Sequence, residues 1–436
     1  MDGARAPAGQ RIAIVGTGIA GLTVAHRLHR RHELTLYEAE DRVGGHTHTV
    51  EVEVEGEERP VAVDTGFIVF NSWTYPRFEA LLAELGVATL DSTMSFSVRC
   101  EAAGLEYNGT TLDTLFAQRR NLLRPSFLRM VRDILRFNRR ARSWLRADSE
   151  GDGEGAEADL PFGEFLARGG FSRAFVEDYA VPMSAAIWSA SAETVRETPA
   201  RFLLRFFDNH GMLSVDDRPT WRVVRGGSAR YVEALIAPFR ERIRLREPVS
   251  EVRRLGDRVE VTSARGTERF DQVVLAAHSD QALALLADPS PAERAILGAL
   301  PYQSNEVVLH RDASLLPRAR RARAAWNYHR LAGAGGERPV AVTYWMNELQ
   351  RLDVAVPLLV TLNRGDAIDP GYVLGAWSVR HPVFGPEGVA AQERFAEISG
   401  LERRTHYCGA YWRYGFHEDG VWSGLRVAEV LDEGAA

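Results

Sequence analysis

The run RIAIVGTGIAGLTVAHRLHRRHELTLYE, residues 11–38, constrains this chain more than any other feature. Ile12, Ala13, Ile14 and Val15 form a short continuous apolar run, the pattern of a strand buried on both faces in a parallel sheet. Gly16, Gly18 and Gly21 follow, and then Leu22, Val24, Ala25 and Leu28 recur at helical spacing. Strand, glycine turn and helix in that order are the context in which G-x-G-x-x-G has a physical meaning. The glycines let the backbone approach a pyrophosphate that sits on the helix N-terminus. A second apolar run ends in Glu38, 22 residues past Gly16. Its carboxylate is placed to accept from ribose hydroxyls and would repel a 2′-phosphate.

NAD and FAD both fit such a unit, and the continuation separates them. EAEDRVGGH, residues 38–46, closely resembles a segment of the flavin-containing amine oxidase superfamily, which includes polyamine oxidases and phytoene-type desaturases. There it reads roughly E-x-x-x-R-x-G-G-R. The resemblance implies FAD, with Glu38, Arg42, Gly44 and Gly45 along the cofactor and His46 where the family has its last arginine. VAVDTGFIVF, residues 61–70, resembles the next strand of the family, whose Asp-x-Gly (here Asp64 and Gly66) passes beneath the flavin. Residues 247–277 resemble the segment that reads the adenine edge through a backbone amide, which makes Val252 the candidate.

GFHEDGVWSGLRVAE, residues 415–429, resembles the closing motif of the family. By that resemblance Phe416 is one aromatic wall of the substrate site. His417 presents its backbone amide to the flavin or, alternatively, a catalytic imidazole. Gly409, Glu418 and Gly420 complete the implied cofactor contacts. The helix starting near Glu418 would aim its positive end at the N1/C2-carbonyl edge of the flavin. Asp419-Gly420 departs from the usual Gly-Ala at this turn.

These matches imply an α/β fold with a Rossmann-type, glutathione-reductase-like FAD domain assembled from discontinuous segments, residues 8–75, 222–290 and 402–436. An α+β substrate domain would come from residues 76–221 and 291–401. The first insertion is patterned mainly as helix (Phe78, Leu81, Leu82, Leu85), and the second as strands in SNEVVLHRD and VAVTYWMN. Residues 146–161 are Gly-rich and acidic without an apolar face, which reads as a mobile loop. Residues 332–338, AGAGGER, lack a flanking strand and helix and also read as a loop. No second dinucleotide unit exists for NAD(P)H, so electrons should come from the substrate and leave to oxygen or another acceptor.

Composition closes off other classes. The chain has 436 residues, 45% hydrophobic and 26% charged, as expected of globular domains, and a net charge of −6 argues against nucleic acid as a partner. No apolar run is long enough to span a bilayer, and the first ten residues lack a secretory core, so the expected location is the cytoplasm. The chain contains no lysine, which removes Schiff-base and Walker-A chemistry. No histidine or cysteine spacing suits a metal. Cys408 is not where family members tether flavin, which implies noncovalent FAD.

Residues 119–146 carry ten arginines against one acid, Asp133. Phe127, Val131, Ile134, Phe137, Ala141 and Trp144 share one helical face, with arginines opposite. This helix could lie on the inner membrane surface as a peripheral contact, or pack its apolar face inward as an ordinary domain helix.

In this family the reaction is hydride transfer from a substrate C–H to flavin N5, with the protein orienting carbon against flavin. Phe416 and Trp377 are the candidate aromatic walls, with Tyr411 and Trp412 as further pocket candidates. Glu306 lies in NEVVL, where many amine oxidases read N-K-V-V-L with the lysine holding a water at N5. A carboxylate there would be a general acid or base for desaturation, or an inward structural acid paired with an arginine. The chain resembles most closely a bacterial subgroup of predicted NAD/FAD-binding oxidoreductases associated with fatty-acyl modification. It is therefore expected to desaturate or oxidise a hydrophobic acyl or lipid-like small molecule. Alternatives are an amine oxidase forming an imine, a non-redox isomerase and a non-catalytic flavin-binding protein.

Overall fold

The structure is a computed structural model and describes residues 9–150, 160–214, 216–331 and 340–432. Two sheets organise it. The first has five parallel strands in the order Ile243–Arg244, Glu33–Tyr37, Arg11–Val15, Gln272–Leu275 and Thr405–Tyr407. Ile12, Ala13 and Ile14 are fully buried at its centre, as the unbroken apolar run requires. Val15 pairs with Tyr37 on one side and Leu275 on the other, so these carboxyl ends lie level. From the central strand the chain moves outward in both directions, which leaves a crevice at its carboxyl end.

The turn at that crevice depends on glycine. Gly16 adopts φ +103°, and a Cβ there would stand 2.7 Å from the carbonyl oxygen of Ala276. Gly21 lies inside the Ile19–Leu28 helix, where a Cβ would fall 2.2 Å from the Gly16 carbonyl oxygen. Gly21 thus packs the helix onto the turn and does not line the crevice.

The second sheet has seven strands in the order Val373–Pro382, Tyr302–His310, Leu359–Leu362, Ala341–Trp345, Trp326–Arg330, Phe96–Cys100 and Leu105–Asn108. All neighbours are antiparallel except Trp326–Arg330 with Phe96–Cys100. The strand-rich reading of the second insertion holds. The first insertion, patterned as helix, also supplies two strands to this sheet, because Val98 and Cys100 are apolar at alternate positions and buried.

The Pro125–Glu150 helix packs its apolar face inward. Phe127, Met130, Phe137 and Ala141 are buried, and Phe137 contacts the rings of Phe162, Phe165, Phe171, Phe175 and Phe207 at 5.4–6.4 Å. That face is therefore not free to meet a membrane. The helix runs to Glu150, five residues into the segment read as a loop from Arg146; residues 151–159 and the AGAGGER segment lie outside the described residues. Among the described residues no helix is long and apolar enough to cross a membrane.

Candidate active site

A cavity of about 1550 Å³ opens at the carboxyl ends of the parallel strands and continues beneath the seven-stranded sheet. A pocket for one small ligand is roughly 300–1,000 Å³, so this space suits a dinucleotide together with a substrate. Two chemically distinct ends can be told apart.

At one end the wall is backbone and acid. Gly18 lines the cavity, and a Cβ built there meets no protein atom within 4 Å, so a side chain would occupy cavity space. Gly45 lies against it, its Cβ position 3.0 Å from Gly18 Cα, and Gly44 N donates to the Thr17 carbonyl at 3.0 Å. Glu38 accepts from Thr17 N at 3.1 Å, from the Thr17 hydroxyl, and from Glu40 N at 3.0 Å. Its carboxylate thereby fixes the glycine turn to the second strand while facing the cavity. Arg42 donates to the Thr47 carbonyl at 2.9 Å and also faces the cavity. Further along, Gly66 supports the wall; a Cβ there would stand 1.9 Å from the His46 carbonyl oxygen. Two buried polar atoms on the wall, Tyr411 Oη and His278 Nδ1, have no protein partner, as expected of groups that a polar ligand satisfies. Together with the helix N-terminus, these residues fit FAD.

Gly18→Val is expected to leave the fold intact and to weaken FAD binding about 10- to 100-fold, the scale of overpacking. Titration of the apoprotein with FAD, alongside its melting temperature, measures both. Unchanged affinity would show that the cradle does not hold the dinucleotide.

Gly16, Gly18, Glu38, Arg42, Gly44, Gly45, His46, Gly66, Trp377, Gly409, Phe416 and His417 all reach the cavity wall. Other candidates do not. Val252 is fully buried in the Val249–Arg254 strand, and Val249 is its member on the wall; an irregularity between Val249 and Glu251 shifts the register. Glu306 points outward from its strand, exposed, and accepts from Gly365 N at 2.9 Å, so it is not a group at the reacting centre. The inward positions beside it are Asn305 and Val307. Glu418 accepts from Phe78 N at 2.9 Å and Arg77 N at 3.1 Å, which caps the Pro76–Glu84 helix. Gly420 is a helix crossing point, its Cβ position 2.6 Å from Ile19 Cγ2. Asp64 is fully buried and tied to Thr49, Ser228 and Gln350, away from the wall.

Phe416 stacks on Phe206 with centroids 5.1 Å apart, and its amide donates to Asp419 Oδ2 at 2.9 Å. Burial lifts the Asp419 carboxyl to about 7, against the lowering effect of that bond. The His417 ring stacks on Phe67 at 3.6 Å, with Nε2 against Thr47 Oγ1 at 3.0 Å and Tyr231 Oη at 2.9 Å. Two hydroxyls and a ring thus hold that imidazole. Trp377 meets His48 edge-on at 4.8 Å. Tyr411 reaches the wall, whereas Trp412 packs on Phe395 at 4.8 Å.

Sequence reasoning missed a group of histidines. His46 lies 5.4 Å from His381 and 5.9 Å from His278, and His278 stacks on Tyr302 at 4.4 Å. Burial first, and the neighbouring histidines second, push His278 down to about 4 and His381 to about 3. His46, on the cavity wall, is also lowered, by burial first and then by the Arg42 charge. These rings are neutral near pH 7, and among the described residues no metal-holding group forms. They come from three separated segments, so no local spacing announced them.

The far end of the cavity is aromatic and apolar, with Tyr107, Tyr179, Met183, Trp188, Phe206 and Trp326 among its walls. All four wall carboxylates, Glu38, Glu40, Asp41 and Glu247, sit at the nucleotide end, where Glu247 N donates to the Glu38 carbonyl.

The family model for flavin containing amine oxidoreductase matches residues 19–432. The chain is 26% identical over 427 residues to the "Putative flavin-containing monoamine oxidase AofH" of Mycobacterium tuberculosis, covering 93% of this chain and 83% of that one. Among solved structures, cyclohexylamine oxidase from Brevibacterium oxydans superposes with a TM-score of 0.69 at 16% identity, covering 98% of this chain and 99% of that one. The CLA-producing fatty acid isomerase from P. acnes superposes with a TM-score of 0.65 at 17% identity and the same coverage.

Proposed function

Given that the chain belongs to the flavin-containing amine oxidoreductase family and is an FAD-dependent oxidoreductase, we propose that it oxidises or desaturates the acyl chain of a lipid-like substrate. One observation carries the choice of substrate: the aromatic end of the cavity is apolar, with Arg218 on its wall and no carboxylate among its described residues. An ammonium would enter that space without a counter-charge, whereas an acyl chain would bury apolar surface against it. Arg380 is engaged by Asp280 at 2.6 Å. Arg218 is exposed, donates Nε to the Ser214 carbonyl at 3.2 Å, and has no carboxylate within ion-pair distance among the described residues. It suits a carboxylate or phosphate headgroup at the cavity edge.

Bound FAD would supply the two-electron acceptor. The chain's own part is orientation and dryness: Trp377 and Phe416 both line the cavity and would flank the carbon that reacts, and the apolar lining would exclude water. Amides at the start of the His417–Asp432 helix would stabilise negative charge that bound FAD gains on reduction. Cys100 and Cys408 are both buried and neither lies on the cavity wall, which supports noncovalent cofactor. We read residues 8–75, 222–290 and 402–436 as the FAD domain and residues 76–221 and 291–401 as the substrate domain.

The test is anaerobic mixing of the holoprotein with a fatty acid, a detergent-dispersed phosphatidylglycerol, an alkylamine and an aromatic amine. Acyl compounds are expected to bleach the oxidised flavin, and Arg218→Gln to weaken that response about tenfold at subsaturating lipid. Bleaching by amines alone would make the protein an amine oxidase. Double-bond migration without net bleaching would make it an isomerase.

A further inference from the structure

Among the described residues eleven large apolar side chains are exposed, and five of them, Leu112, Leu122, Leu123, Leu128 and Leu135, fall within 24 residues. Leu112 and Leu123 are 75% and 88% exposed. Leu128 and Leu135 share the outward stripe of the Pro125–Glu150 helix with Arg132, Arg139 and Arg142, at steps of three and four. Among the described residues Arg129, Arg132, Arg139 and Arg142 have no carboxylate within ion-pair distance, and Asp133 points inward to accept from Ser172 N at 2.8 Å. Asp113, the acid next to Leu112, is already paired with Arg119.

The same surface borders the cavity. Gly109 and Thr110 are exposed and line it, two residues before Leu112. The short Arg119–Leu123 helix is pinned beside them, with Arg124 donating to the Ala103 carbonyl at 2.9 Å. Beneath it, the Tyr107 ring of the cavity wall packs on Phe127 at 5.6 Å.

We propose that this leucine and arginine surface docks the protein on an anionic phospholipid bilayer, with the cavity edge at Gly109–Thr110 facing the lipid. Exposed leucines enter the interface while arginines meet phosphate, the two contributions that hold an amphipathic surface on a membrane. A second copy of the chain is disfavoured as the occupant, because a twofold contact would press like-charged arginines together. The docking stands on this surface; only the identity of what enters the cavity rests on the acyl-lipid reading.

The holoprotein is sedimented with phosphatidylcholine vesicles with and without phosphatidylglycerol, at low and high salt. Binding to the anionic vesicles alone is expected at low salt. Arg129→Gln with Arg132→Gln and Arg139→Gln should weaken it on the order of 100-fold. Leu122→Ser with Leu123→Ser and Leu128→Ser should remove whatever binding survives high salt, while Leu255→Ser, elsewhere on the surface, changes nothing. Flavin absorbance and melting temperature verify that each variant is folded. Equal binding to both vesicle types, no binding, or a wild-type dimer that the leucine variant dissociates would overturn the proposal. So would binding that appears only once the acids of residues 148–159 are neutralised, since that segment would then be the partner of the arginines. Flavin bleaching by dispersed lipid is scored separately, so docking and substrate class can fail independently.

Discussion

Acidification from pH 7 to pH 5 is expected to remove most of the folding stability. Four core histidines, His210, His310, His329 and His406, are buried. Burial pushes them down to about 4, 4, 3 and 4 respectively. His310 Nδ1 accepts from Asp312 N at 3.1 Å, a bond that a second ring proton would break. His329 and His406 each leave Nδ1 buried without a partner. A histidine lowered in the fold contributes stability that is complete above its unfolded value near 6.5 and is lost as pH falls towards 4. At pH 5 each such group costs about 2 kcal/mol, and four together cost about 8 kcal/mol against a typical total of 5–15 kcal/mol. Urea unfolding at pH 7, 6 and 5 measures this directly. A midpoint that does not move would show that these rings are already solvated.

Asp64→Ala should lower stability by about 4 kcal/mol, the upper range for a single substitution. Thr49 Oγ1 donates to the carboxylate at 2.6 Å, Ser228 N and Oγ at 2.8 and 2.7 Å, and Gln350 Nε2 at 2.9 Å. Asp64 N returns a bond to Gln350 Oε1 at 2.8 Å. Deleting the acid strands buried donors from three distant segments at once. Burial lifts the carboxyl to about 6 while the donors pull it down. Between pH 4 and 6 its contribution therefore falls as pH rises, opposite in sign to the histidines and outnumbered by them. Asp64→Asn, which keeps one acceptor oxygen, should lose less. Equal urea midpoints for wild type and the alanine variant would contradict the hub.

The parallel sheet was legible because its signal is local: an apolar run, a glycine turn and an acid within 28 residues. Gly16 and Gly18 on the cavity wall followed from the same stretch, and Gly44, Gly45, Gly66 and Gly409 from the family resemblance. Parity and register were harder. The motif marked 306, but inward alternation belongs to Asn305, Val307 and Leu309, a pattern visible in the polar Ser304 and Glu306 between them. Val252 was displaced by a strand irregularity that no side chain announces. The family resemblance assigned Asp64 to the ligand, and the partners that hold it, 164 and 286 residues away, leave no local signal. The basic helix was split correctly into two faces, yet Leu128 and Leu135 among the arginines passed unnoticed.

The parallel sheet closes late, its central strand gaining a second neighbour only from Gln272 and that neighbour gaining its own only from Thr405. Ile12 finds its neighbour Gln272 and, one strand further, Val273 finds Thr405. The helix beginning at Ile19 receives its partner only when Gly420 and Gly424 arrive against Ile19 and Ala20. At roughly 5–20 residues per second a ribosome needs about 20–80 seconds to span that interval. During that time an apolar strand edge stands open on the nascent chain, a surface for holdase chaperones. A chain released before Thr405 never closes that edge, so premature termination yields a target for proteolysis and not a smaller enzyme.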